Sequence, residues 1–324
     1  MNQTDYAYGV SYIRSIENRL LDKGDVESLI LTKTPEEAIR ILTDKGYSTE
    51  PVAPADYERL LSAQLEKCWE TVREAAPKGA PLDLFLYQND FHNLKVVLKA
   101  TFTGAKQIES LFLSPHTVDT DLIVKTVSNQ DFSLLPDMLK TAAEEAYRAL
   151  SRTEDSQTAD VIIDKAAMDF MYESAVQSKS AFVEKLVRLK NTLCDIKIAY
   201  RGVKTDKNKD FLEKALSDRP AFSRDGLIAA ALGGEDSLLS FLASHNFEGA
   251  ANALKNSVTE FEKYASAAEK EMLQQANYIT FGIEPLIAYI LKKQSELLTV
   301  RIIMSCKING LSEEKIRERL GGAA

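Results

Sequence analysis

Apolar residues recur at three- and four-residue intervals along almost the whole chain, with no convincing run of alternating β-branched positions, which restricts it to a helical fold. Tyr6, Val10, Ile13, Ile16 and Leu20 form the first stripe, and Gly24 is its expected stop. A second helix should start at Thr34-Pro35-Glu36-Glu37, where Thr can cap, Pro suits the first turn and Glu37 can reach back. Ala38, Ile39 and Leu42 are its apolar face, and Lys45-Gly46-Tyr47 supplies a cation and a left-handed cap at its end. Further helices are expected over 56–75, 82–103, 117–128, 135–150, 158–176, 181–201, 211–216, 227–232, 236–243, 251–277, 286–309 and 312–320. Polar, Pro- and Gly-containing stretches at 49–54, 77–81, 151–157, 202–210 and 217–225 read as loops. The predicted fold class is all-α.

With 45% hydrophobic and 27% charged residues among 324, the chain can bury a core and is not a disordered polymer. Its 40 Lys+Arg against 48 Asp+Glu leave a net charge of −8, which argues against a nucleic-acid coat or a polybasic membrane binder. Cys68, Cys194 and Cys306 are too widely spaced for a zinc knuckle or a disulfide framework, so a reducing cytoplasm is the expected compartment. No basic segment followed by an apolar run opens the chain, so a secretory leader is not expected. The apolar stretches at 226–234 and 278–291 fall short of the roughly 20 residues a spanning helix needs.

Three segments superpose at a period near one hundred: Asn93 to Gly104, Asn191 to Gly202 and Thr299 to Gly310. Each is expected to end its helix at the glycine. Val96, Cys194 and Ile302 share one apolar position, Leu98, Ile196 and Met304 a second, and Phe102, Tyr200 and Ile308 a third. A fainter trace two periods apart pairs Leu42, Gly46 and Tyr47 with Leu242, Asn246 and Phe247.

Tyr6-Ala7-Tyr8-Gly9-Val10 with Arg14, Leu20-Leu21, Ala38-Ile39-Arg40-Ile41-Leu42 and Gly46-Tyr47 occur in an order that points further. So do Asn89-Asp90-Phe91-His92-Asn93-Leu94-Lys95, with Leu98-Lys99 and Gly104, and the closing Glu296, Val300, Arg301, Lys307 and Gly310-Leu311-Ser312. On these residues the chain resembles the C subunit of the bacterial and archaeal V/A-type rotary ATPases, the family that includes the d subunit of the eukaryotic vacuolar proton pump. The second segment departs from the pattern: Arg188 stands where the others carry Asp90 and Glu296.

Catalytic motifs are missing from the sequence. There is no Gly-Lys dipeptide for a P-loop, no Gly-x-Ser-x-Gly, no Gly-x-Gly-x-x-Gly, and His92, His116 and His245 lack metalloprotease spacing. Glu36-Glu37, Glu144-Glu145 and Glu313-Glu314 fit helix first turns or solvated faces better than acid–base pairs. His92 is expected to be structural, Cys194 and Cys306 to be small buried hydrophobes, and Trp69 to lie in the core or anchor an interface. Asn93, Lys95, Lys99, Asn191, Lys197, Arg201, Arg301 and Lys307 have two readings: helix-end electrostatics and packing between the repeated segments, or a basic lining for an acidic helical partner.

The resemblance implies a funnel of three similar helical units with pseudo-threefold symmetry, expected over 1–104, 105–202 and 203–324. It further implies a non-catalytic rotor spacer with no cofactor or metal, joining the D and F subunits of the central shaft to the membrane proteolipid ring. Such a chain would be peripheral, on the cytoplasmic side, with no spanning segment of its own. The alternative from residue pattern alone is a free-standing helical scaffold for protein partners, although a period near one hundred exceeds the roughly 20–45 residues of such arrays.

Overall fold

A computed structural model describes residues 2–153, 156–219 and 221–321, and these form sixteen α-helices with short 3₁₀ turns and no strand. They group into two compact units, one made of the two ends of the chain and one of its middle. Glu154 and Asp155, inside the expected 151–157 loop, and Pro220, inside that at 217–225, lie outside the described residues.

The unit of residues 1–80 and 256–324 holds α1 (Ala7–Ile16), α2 (Lys23–Leu31), α3 (Pro35–Asp44), α4 (Tyr57–Ala75), α14 (Val258–Gln275), α15 (Glu284–Ile308) and α16 (Glu313–Leu320). Its core gathers Leu29, Leu42, Leu61, Val300, Ile303 and Ile316 around the 25-residue α15. The unit of residues 81–255 holds α5 (Tyr87–Thr103), α6 (Thr120–Asn129), α7 (Asp137–Thr153), α8 (Ser156–Gln177), α9 (Ala181–Lys204), α10 (Lys209–Ala215), α11 (Arg224–Leu232), α12 (Glu235–Ser244) and most of α13 (Glu248–Asn256). Phe91, Leu94, Leu98, Ile123, Leu139 and Ile163 form its main core where α5 to α8 meet.

Most expected helices are present, and several of their details differ for local reasons. Gly24 does not stop the first helix; it sits in the first turn of α2, because Asp22 and Asp25 cap each other's backbone amides and restart the helix there. The stripe over 251–277 is two helices, broken where the Ser257 hydroxyl accepts the Glu260 amide and starts α14. At α3 the Thr34 hydroxyl accepts the Glu37 amide as expected, but the Glu37 carboxylate takes the amide of Lys33, one residue beyond the anticipated box.

Of the three glycines expected to end helices, Gly104 and Gly310 do so in the left-handed region, at φ 70° and 66°. Gly202 does not. It is buried inside α9, which continues to Lys204, and a Cβ there would lie 2.9 Å from Leu212 Cδ2 on α10. Gly9 serves a tighter approach, since a Cβ would come within 2.6 Å of the Ala75 carbonyl oxygen at the end of α4.

Gly9→Ala must therefore push backbone against backbone and should cost about 1–3 kcal/mol. Gly202→Ala meets only the end of a Leu side chain that can rotate, and gains helix propensity of about 1 kcal/mol. Urea denaturation of both variants should show a clear loss for the first and a change near zero for the second.

Candidate functional site

The buried polar residues concentrate on the three long helices α5, α9 and α15, and on each they hold a loop. On α5 the side chains of Asn89, Asp90, His92 and Asn93 all reach the segment that follows Gly104. Asn89 Nδ2 donates to the Pro115 carbonyl at 2.7 Å, and His92 Nε2, in its Nε2–H tautomer, to that of Leu111 at 3.1 Å. Asn93 pairs with both backbone groups of Leu113, donating at 3.1 Å and accepting at 2.8 Å. Asp90, fully buried, accepts the Thr117 amide at 2.8 Å, the Thr117 hydroxyl at 2.6 Å and the Val118 amide at 2.9 Å. A chain segment with no more than one 3₁₀ turn is thus held at several backbone groups from one helix face.

On α15 the acceptor is Glu296. It takes the Leu21 amide at 2.6 Å and the Tyr47 hydroxyl, and pairs with Lys293 at 2.5 Å. Lys293 also lies over the Tyr47 ring, 4.4 Å from its centroid. Burial, then the neighbouring carboxylate, pushes the Tyr47 hydroxyl above its ordinary range, so it stays a donor. Burial likewise pushes the Cys68 thiol up to about 12.

The second segment lacks an acid at Arg188, yet α9 has one. Asp195 accepts the Ser217 amide at 3.0 Å and the Ser217 hydroxyl at 2.5 Å, while Thr192 accepts the Ala221 amide at 3.0 Å and Asn191 donates to the Met168 carbonyl at 2.8 Å. Asp195 stands seven residues after Arg188, and about 3.6 residues per turn returns it to the same helix face. Arg188 instead pairs with Glu184 at 2.8 Å and reaches Tyr172.

The remaining candidates lie on these same helices. Lys95 pairs with Asp164 at 2.5 Å and Lys99 with Asp160 at 2.7 Å, both tying α5 to α8. Arg301 meets both Glu58 oxygens at 3.0 Å, α15 to α4. Lys307 donates to the carbonyls of Ile30 at 2.9 Å and Thr32 at 2.6 Å, at the negative end of α2, with burial lowering its ammonium pKa. Lys197 is half-buried on α9 and Arg201, one turn on, is exposed. Cys306 is buried as expected, but Cys194 is exposed. Trp69 is core, 1% exposed, under the Arg73 guanidinium.

Large apolar side chains are exposed at several places, among them two next to the contacts described above. The clamped segment after α5 presents Leu111 and Leu113, 54% and 42% exposed. Near α1, Tyr8 stacks on Tyr12, and Arg14 holds the turn before Tyr278 and Phe281 through the carbonyls of Ala276, Asn277 and Ile279. Tyr8 and Tyr278 are 71% and 89% exposed. Among the described residues there is no cluster of metal-ligating side chains, and no helix long and apolar enough to cross a membrane.

The geometry is that of an all-helical protein whose buried polar side chains fix loops in place. The chain belongs to the ATP synthase (C/AC39) subunit family, whose model matches residues 10–319. It is 24% identical to the V-type sodium ATPase C subunit of Enterococcus hirae, over 95% of this chain and 95% of that one. It is 23% identical to the A-type ATP synthase C subunit of Methanocaldococcus jannaschii, over 97% of this chain and 86% of that one. With the A-type ATP synthase C subunit of Halorubrum lacusprofundi the identity is 24%, over 97% and 96%.

Asn93→Ala strands two backbone groups of Leu113 and should cost about 2–4 kcal/mol, with new protease cleavage between 105 and 116. Glu296→Ala leaves the Lys293 ammonium buried without its partner, at about 3–5 kcal/mol. The double variant Lys293→Met, Glu296→Gln should lose less than Glu296→Ala alone. Denaturation midpoints of the set check both expectations.

Proposed function

We propose that this chain is the C subunit of a V/A-type rotary ATPase or ATP synthase, acting as a non-catalytic spacer in the rotor. It would join the D and F subunits of the central shaft to the membrane proteolipid ring and carry torque between them. The observation that carries this reading is the family match over residues 10–319. The clamped loops support it physically: a torque-bearing part needs surfaces that do not shear, and side chains buried in helix faces hold loop backbone more stiffly than loop-to-loop contacts can.

In this proposal residues 1–104, 105–202 and 203–324 are three similar helical units arranged as a funnel with pseudo-threefold symmetry. The chain sits peripherally on the cytoplasmic side of the membrane, held there by its partners. Several candidate cations, Lys95, Lys99, Arg301 and Lys307, are engaged with groups of this chain and act in packing. Arg201, exposed on α9, is the best candidate for contact with an acidic helix of the shaft.

Affinity-tagged protein purified from solubilised native membranes should retain the shaft subunits and the proteolipid, identified by mass spectrometry. A solitary monomer would instead favour a free-standing scaffold. The variant Arg201→Glu should keep its helical circular dichroism and retain at least tenfold less of the shaft subunits.

A further inference from the structure

The carboxylates that hold loops on α5, α9 and α15 are unequally provided for. Asp90 has three donors from two residues, and Glu296 has an amide, a hydroxyl and the Lys293 ammonium. Asp195 has Ser217 alone. Both Asp195 and Ser217 are fully buried, and no ion pair to Asp195 is formed among the described residues.

The charges around it are spoken for elsewhere. On α8, Asp169 accepts the Asp218 amide at 2.8 Å and pairs with Lys165 at 2.5 Å. Lys165 also meets Asp218 in the turn after α10, at 2.9 Å. Arg224 of α11 pairs with Asp218 at 2.9 Å and donates to the Glu213 carbonyl on α10. Two acids, Asp169 and Asp218, share these two cations, and neither cation forms an ion pair with Asp195.

We propose that the Asp195–Ser217 contact is a proton-dependent latch: with its proton, Asp195 locks the turn after α10 onto α9, and loss of that proton releases the turn. A neutral carboxyl can accept the Ser217 amide on one oxygen and stay hydrogen-bonded to the Ser217 hydroxyl through the other, so the contact is kept with no charge to desolvate. An ionised carboxyl keeps two donors and must carry its charge out of water, and the cheapest relief is to let the turn open and admit solvent. Burial, with Asp169 adding to it, raises the Asp195 pKa to about 6, and the Ser217 hydrogen bonds and Arg224 pull only partly against this.

The sign is the reverse of an ion-paired aspartate. An acid whose folded pKa lies above its open-state value of about 3.9 contributes fully below that value, and the contribution is lost as pH rises through about 6. A gap of about two pH units corresponds to at most about a 100-fold change in the opening equilibrium. The latch does not depend on the rotor assignment, since it acts within one unit of the isolated chain.

Hydrogen exchange of the full-length protein, read by mass spectrometry on peptides covering 211–219 and corrected for the intrinsic pH dependence, tests it directly. The wild type should open about tenfold more readily at pH 7.5 than at pH 5, while Asp195→Asn, which keeps both Ser217 contacts without a charge, should stay protected at both. A pH-independent wild type, or a variant with the wild-type slope, overturns the proposal. Should the variant fail to fold, carbon-13 titration of the wild-type aspartate side chains decides alone. A midpoint for Asp195 near 6 supports the latch, and one at or below 4 removes it.

Discussion

Hydrogen bonds from side chains on a helix to the backbone of a neighbouring loop are the contacts on which the irregular parts of this protein depend. Helices satisfy their own amides and carbonyls, but the segments after α5 and α10 and the turn before α2 have no ladder to join. Left to water they would be mobile. Asp90 and Asn93, Asp195 and Thr192, and Glu296 replace the solvent with fixed acceptors and donors, at the cost of burying polar groups in the helix faces. Each bond is modest in net terms, about 1 kcal/mol or somewhat more where a charge takes part, but a stranded partner costs more than the bond gained. The loops are therefore held in one arrangement rather than merely favoured in it.

That arrangement explains why so much polar sequence lies in otherwise apolar helices. The run Asn89-Asp90-Phe91-His92-Asn93 looks at first like chemistry, with two amides, an acid and a histidine together. Its side chains turn out to address the backbone of residues 111–118, while Phe91 packs into the core between them. The cations that share these helices act similarly. Lys95 and Lys99 stitch α5 to α8, and Lys307 closes the carbonyl end of α2. Surface ion pairs contribute little energy, so their value here is in fixing which helix faces meet.

The helical class and most helix positions were legible because a 3.6-residue period over long stretches has few competing explanations. The break at Ser257 was also written in the sequence, as a Ser followed three residues later by Glu260, but the apolar stripe ran across it and hid the cap. Gly202 misled for the opposite reason. Glycine closes helices often enough that a close-packing glycine in mid-helix is not distinguishable without knowing that Leu212 lies against it. Loop contacts were out of reach altogether, since nothing local tells an acid which amide some twenty or more residues away it will meet. Cys194 shares a repeat position with Val96 and Ile302, which are only half-buried, so the apolar letters shared there did not mark a core position.

The displaced acid of α9 shows what the repeated segments have in common. A pattern read letter by letter places an acid at position 90, at 296 and not at 188, and counts the second segment as deviant. A helix does not distinguish positions by letter but by face and height, and a shift of two turns keeps the face. The requirement is a carboxylate on the loop-facing side of a long helix, and Asp195 meets it where the other segments have Val97 and Ile303 in the core. Moving the acid two turns along the helix changes its partners. Arg188 at the earlier position pairs with Glu184, whereas at the later one the carboxylate is buried against a single serine. The same loop-holding task is thus performed by three carboxylates whose charges are compensated to different degrees, by backbone and hydroxyl donors at Asp90, by a lysine at Glu296, and least of all at Asp195.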